Sequence, residues 1–143
     1  RTALGLLSQV RAKFDSTSLM LACARAEIGL GRCDQAISLT LQVLRGDNGN
    51  TEALTLRGDA FLWRGDFDQA ERHLREALKL DPDFTLAQVT LRRARNVKTA
   101  VEQARQAAWH RDFVAATEQY TCAVQAAQEG GVACTSPLIA ECL

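Results

Sequence analysis

A repeat with a period of about 34 residues constrains this chain more than any other feature of its sequence. Gly31-Arg32-Cys33-Asp34-Gln35-Ala36 returns one period later as Gly65-Asp66-Phe67-Asp68-Gln69-Ala70, with Gly, Asp, Gln and Ala in register. The same offset pairs Thr17 with Thr51, Ala26 with Ala60, Leu44 with Leu78 and Asp47 with Asp81. A third copy, Arg111-Asp112-Phe113-Val114-Ala115-Ala116 followed by Tyr120 and Ala123, falls late by about three helical turns. A unit this short cannot bury its own apolar face, so its copies must stack to make a core. The expected architecture is a solenoid.

Composition decides what the unit is made of. Two prolines and nine glycines occur in 143 residues, and Ala, Leu, Gln, Arg and Glu dominate. These favour helix, and long β-branched or aromatic runs are missing. The fold class is all-α. The clearest unit, Thr51–Phe84, has Leu54, Gly58 and Phe61 on a first helix and Gly65 at a turn. Ala70, Leu74 and Ala77 follow on a second helix that ends at Leu80-Asp81-Pro82. Small residues at Gly58, Ala70 and Ala77 let antiparallel helices approach closely, with Phe61, Phe67 and Leu74 filling the space around them. Gly65 supplies the backbone freedom of the turn, and Pro82 stops the second helix. By the same register, Ala36, Ala70 and Ala116 each lie at the tightest crossing of a hairpin. These residues resemble the tetratricopeptide repeat, with Leu54 where that pattern has tryptophan and Arg57 where it has leucine. The resemblance implies a right-handed superhelix of antiparallel helix pairs.

The chain divides accordingly. Residues 1–16 (Ala3, Leu4, Leu7, Val10, Phe14) read as the second helix of a preceding repeat, and 17–50 and 51–84 as tetratricopeptide repeats. The first copy departs from the pattern with Glu27 at an aromatic position and Asn48 in place of proline. Positions 85–130 read as a repeat whose first helix is extended by roughly 12 residues, and 131–143 as a loop and the start of a next repeat. From Thr85 to Trp109 there is no Pro or Gly, while Leu86, Val89, Ala94, Val97, Val101, Ala104 and Ala108 recur at helical spacing. This predicts one helix from about Phe84 to about His110, roughly 40 Å long, joining two sub-stacks. Thr85 with Gln88 reads as a capping box. The sequence opens at Arg1 inside a helical pattern and closes at Leu143 inside an apolar run, as a piece of a longer protein would.

Seventeen basic residues balance 17 acidic ones, which argues against a nucleic-acid partner. No stretch approaches the ~18 uncharged residues of a membrane span, so no membrane partner is expected. The five cysteines form no CxxC pair and no ligand cluster with His73 or His110. Free, mostly buried thiols are expected, with a Cys23–Cys33 disulfide as the reserve reading and no metal or cofactor. Asp81-Pro82-Asp83 reads as a helix stop and cap. Catalysis would need Cys23 or Cys122 beside His73 or His110. No glycine-rich phosphate loop or carboxylate pair accompanies them, so the chain is read as no enzyme.

Two repeats ending Ala77-Leu78-Lys79-Leu80-Asp81-Pro82-Asp83, a long basic helix carrying Leu91-Arg92-Arg93-Ala94-Arg95, a third repeat and a loop follow one another. This order is similar to the repeat region of the J-domain (DnaJ/Hsp40-type) co-chaperones that carry tetratricopeptide repeats. The resemblance implies a concave groove that takes a peptide, an unfolded client or a heat-shock chaperone. It also implies a J domain elsewhere in the parent, since no His-Pro-Asp tripeptide occurs here. Cytosolic members hold acidic chaperone tails with Lys at the fifth and Asn at the ninth position of a repeat's first helix. Here the fifth positions are Leu21, Thr55 and Val101, and the ninth are Arg25, Asp59 and Arg105. The missing pair leans toward the endoplasmic-reticulum branch, with the cytoplasm as the other compartment.

The groove-facing positions implied by the resemblance are Ser18, Leu21, Arg25 and Ile28 in the first repeat. In the second they are Glu52, Thr55, Asp59, Leu62 and Trp63, and in the third Lys98, Val101, Arg105, Ala108 and Trp109. Both tryptophans stand at the thirteenth position, where they either pack between repeats or anchor a bound peptide. The run Arg92, Arg93, Arg95, Lys98 reads as the solvated face of a long helix. The alternative function is a general scaffold that docks a folded partner or associates with itself through its ends.

Overall fold

The repeat is visible in the hydrogen bonds before it is visible in the helices. Arg32 N donates to Glu27 O, Asp66 N to Phe61 O and Asp112 N to Ala107 O, each at 2.8–3.0 Å. Beside these, Gly31, Gly65 and Arg111 donate to Ile28, Leu62 and Ala108. All three turn residues adopt positive φ, of 76°, 91° and 59°. The first bonds of the following helices, Ala36 to Arg32, Ala70 to Asp66 and Ala116 to Asp112, then set the alanine of each hairpin. The links between repeats also match. Asp47 N to Val43 O and Asn50 N to Asp47 O recur one period on as Asp81 N to Ala77 O and Phe84 N to Asp81 O.

These turns connect six helices in the computed structural model, which describes residues 3–128, with side chains from Ser16 onward. They are α1 (Ala3–Gly29), α2 (Cys33–Gly46), α3 (Thr51–Arg64), α4 (Phe67–Leu80), α5 (Thr85–Trp109) and α6 (Phe113–Gln128). No strand occurs among the described residues. Each helix packs on the next, and α3 also touches α1 and α5. The odd-numbered helices therefore form one layer whose second neighbours meet directly.

The core follows the small-residue register. Ala36 and Ala70 are fully buried and Ala116 nearly so. A Cβ built on Gly58 would lie 2.6 Å from Leu74 Cγ and 3.2 Å from the Ala70 carbonyl oxygen, so α3 and α4 touch almost backbone to backbone. Arg57, the departure from the repeat's leucine, is accounted for by its contacts. Its guanidinium donates to the Ile37 carbonyl (3.0 Å) and His73 Nε2 (3.3 Å) and lies over the Phe61 ring.

Several expectations differ from the structure. The helix expected over 1–16 is not separate: α1 runs unbroken from Ala3 to Gly29. Asp15-Ser16-Thr17 contains neither Gly nor Pro, and a potential cap residue ends nothing unless the backbone leaves the helix there. The capping box at Thr85 is not formed. Phe84 is the N-cap, without a side-chain bond, and Gln88 turns back to donate to the Pro82 carbonyl at 2.7 Å. Among the described residues, the cysteines are less buried than expected. Cys33 is in the core, but Cys23 and Cys122 are exposed and no disulfide joins Cys23 to Cys33. Cys23 lies between Leu21 and Ala24 in sequence, which puts it off the buried stripe. Residues 131–143, expected to begin a further repeat, lie outside the described residues.

The long helix is present as α5, but its extra turns are at its C-terminal end. Ala53, Leu56, Ala60 and Trp63 are the buried stripe of α3, and one period on Ala87, Thr90, Ala94 and Val97 are buried on α5. The period that the sequence reading breaks at 85 therefore continues to about residue 98. The remaining turns carry Ala100, Val101 and Ala104, also buried, in the half of α5 that pairs with α6. At 1.5 Å per residue, Thr99–Trp109 extends α5 by about 16 Å past its last contact of the repeated kind.

Candidate protein-binding face

Two ion pairs mark the face shared by α1, α3 and α5. Arg25 on α1 reaches Glu52 on α3, Nη2 to Oε1, at 2.6 Å. Arg93 on α5 is hydrogen-bonded to Asp59 on α3, its partner one period earlier. The second pair is enclosed, with side chains 10% and 19% exposed. Burial is the first influence on Asp59 and pushes its carboxyl above the ordinary range, while Arg93 and the Trp63 indole N–H favour the ionised form. The Arg93 guanidinium also lies over the Trp63 ring, 5.9 Å from its centroid. Arg93 thus ties the long helix to a carboxylate and an aromatic of α3 at once.

One and two turns before Arg93, on the same side of α5, stand Val89 and Leu86. They are 47% and 44% exposed, so the face carries apolar side chains open to solvent beside guanidinium groups that are already neutralised.

Of the residues chosen from sequence, many are covered. Leu21, Ile28, Thr55 and Leu62 are buried because the odd helices pack on their second neighbours, and Val101 is buried in the half of α5 that pairs with α6, so the positions expected to line a groove are consumed. The Thr55 hydroxyl bonds the Thr51 carbonyl of its own helix. Trp63 is 3% exposed, within a cluster with Leu21, Ala24, Ile28, Cys33 and Ala36, and so packs between repeats. Arg25 and Asp59 stand on this side of the molecule, each held by its partner. Lys98 instead reaches Asp68 on α4 at 2.7 Å, and Arg105 is exposed beyond it. Trp109 is 86% exposed at the tip of the α5–α6 hairpin, next to Phe113 and Val114. It differs from Trp63 in that, among the described residues, no further hairpin is stacked against the extended end of α5.

The basic run is a solvated face only in part: Arg92 and Arg95 are exposed, but three of its members are tied to carboxylates. Arg93 is enclosed against Asp59, and Arg95 bonds Glu71 on α4 at 2.8 Å, holding that carboxyl below its ordinary range. Lys98 takes Asp68, which leaves Arg92 as the exposed member without such a bridge to α3 or α4 among the ion pairs of the described residues. Sequence reasoning missed Leu86, Val89 and Arg93 as members of the face. The signal was available: each stands one period after a position that had been assigned to the groove, namely Glu52, Thr55 and Asp59.

Comparison with known proteins agrees with this geometry. The tetratricopeptide repeat family matches residues 51–84. A DnaJ homolog subfamily C member 7 homolog of Schizosaccharomyces pombe is 33% identical over 128 residues, 86% of this chain and 27% of that protein. The human DnaJ homolog subfamily C member 7 is 30% identical over 92 residues, 64% of this chain and 19% of its own length. A DnaJ protein P58IPK homolog of Arabidopsis thaliana is 48% identical over 50 residues, 35% of this chain and 10% of that protein. The chain thus spans about a quarter, or less, of the length of these relatives. No helix among the described residues is long and apolar enough to cross a membrane, and no group of three or more metal-ligating side chains occurs among them.

Proposed function

We propose that this chain, which matches the tetratricopeptide repeat family over residues 51–84 and is similar to the DnaJ homolog subfamily C member 7 proteins, is a non-catalytic binding module of a chaperone system, taking an apolar segment of a non-native client. The observation that carries this is the pairing of exposed Leu86 and Val89 with neutralised Arg25 and Arg93 on the odd-helix face. Direct contact between second neighbours on that side makes it the shorter, inner side of a bent stack, where an extended or helical segment meets several helices at once. An acidic chaperone tail is the poorer occupant, because the guanidinium groups it needs already hold carboxylates.

The test is Leu86→Asp with Val89→Asp, two exposed positions where the fold tolerates charge. Binding of a permanently unfolded client should weaken by tenfold or more while thermal unfolding stays at the wild-type temperature. Unchanged affinity would remove the face from the function. A second reading is favoured by Trp109, Phe113 and Val114, respectively 86%, 68% and 72% exposed at one hairpin tip. There the module would be a scaffold docking a folded partner, and Trp109→Ala would abolish binding where the α5 double variant does not.

A further inference from the structure

Each of the two ion pairs sets an α3 carboxylate on a guanidinium group of the odd-helix face. We propose that Glu52 and Asp59 are blocking carboxylates: they occupy Arg25 and Arg93 on the odd-helix face and so exclude peptides that end in acidic residues. The inference rests on that face being the ligand surface, and it concerns which ligands are refused.

Glu52 bonds Arg25 from the next helix at 2.6 Å, and Asp59 does the same to Arg93. Both carboxylates come from α3, the middle helix, and both cations from the helices on either side. An acidic peptide lying across the three helices would meet the open Arg25 guanidinium with the Glu52 carboxylate already in place, and would find Arg93 closed off by Asp59 and the Trp63 ring. To bind, it must displace a tethered anion whose effective concentration is fixed by the fold and must approach two negative charges. An uncharged apolar segment incurs neither penalty and contacts Leu86 and Val89. Specificity of this sort comes from a repulsive element built against the wrong ligand. Arg92 does not share the arrangement, since it lies with Leu78 and Gln88 towards α4.

The experiment measures fluorescence anisotropy of a labelled glutamate-rich hexapeptide with a free C-terminus, titrated with wild type, Glu52→Gln, Asp59→Asn and the double variant. Its glutamine analogue with an amidated end is the control. Wild type should bind the acidic peptide weakly. Glu52→Gln should gain about threefold and the double variant about tenfold, the effect of one and then two charge-assisted contacts becoming available. The gain should disappear in about 0.5 M salt and be absent with the control. Glu52→Gln changes an exposed pair and tests the idea even if Asp59→Asn, which leaves Arg93 enclosed beside a neutral partner, does not fold. A folded Glu52→Gln variant that binds the acidic peptide no better than wild type would overturn the inference, as would an equal gain with the control. Loss of apolar-segment binding by wild type would instead count against the function proposed above.

Discussion

At Gly58 the ordinary preference of a helix for alanine is reversed. An exposed Gly→Ala change inside a helix gains about 1 kcal/mol, but here the added methyl would meet Leu74 Cγ at 2.6 Å and the Ala70 carbonyl oxygen at 3.2 Å. The obstacles are a side-chain branch point and backbone, neither of which moves freely. Gly58→Ala is therefore expected to lose about 1–3 kcal/mol by overpacking, read as a fall in the urea midpoint. Arg111 presents the opposite case. It takes the left-handed turn conformation that Gly31 and Gly65 take in the other hairpins, at φ 59°. Arg111→Gly should raise stability by up to about 1 kcal/mol, and a lower melting temperature would contradict that. His73 stacks on Phe61 with centroids 5.4 Å apart and accepts from Arg57 Nε. Burial first, and then the Arg57 charge, lower its pKa below 6.5. The folded state thus prefers the neutral ring, and the unfolded chain binds the extra proton first as pH falls. Stability should be complete above pH 6.5 and decline as pH drops through the lowered value. His73→Gln should flatten that decline in urea titrations; an unchanged pH slope would assign it to other groups.

At the scale of elements, the sequence carried the hairpins well. The turns at Gly31 and Gly65, the stop at Pro82 and the alanines at 36, 70 and 116 are local signals with local consequences, and all are legible in one unit. Where the long helix continues the repeat was not legible from those signals. α5 has no internal Gly or Pro to fix its phase, and the third turn motif at Arg111 pulls the alignment late. The phase is set by packing on α3, through Ala94 and Val97 and through the Arg93–Asp59 pair. The α1 boundary failed for the same reason: a stop between repeats needs Gly, Pro or Asp chemistry, and Asp15-Ser16-Thr17 has only a candidate cap. If Arg93 fixes α5 on α3, Arg93→Ala should cost roughly 3–5 kcal/mol, because it strands the enclosed carboxylate. A double-mutant cycle with Asp59→Ala should show coupling of at least about 1 kcal/mol. Additive losses would place the helix phase elsewhere.

Over the whole molecule, the candidate face was only partly legible. Arg25 and Asp59 stand on the same side as Leu86 and Val89, but exposure depends on how closely the odd helices approach, which no single repeat encodes. Leu21, Leu62 and Trp63 disappear into that contact, while Trp109 lies past the part of α5 that meets α3. The two tryptophans stand at equivalent places in their hairpins and have opposite environments. The central claim is that ligands meet the α1–α3–α5 face near Leu86 and Val89. Backbone amide NMR of the labelled chain, titrated with an unlabelled unfolded client, tests it most directly. The largest shifts should fall at residues 86–93 of α5 and 52–59 of α3, with Trp109, Phe113 and Val114 unmoved. Shifts confined to the hairpin tip around Trp109, or none at all, would contradict it.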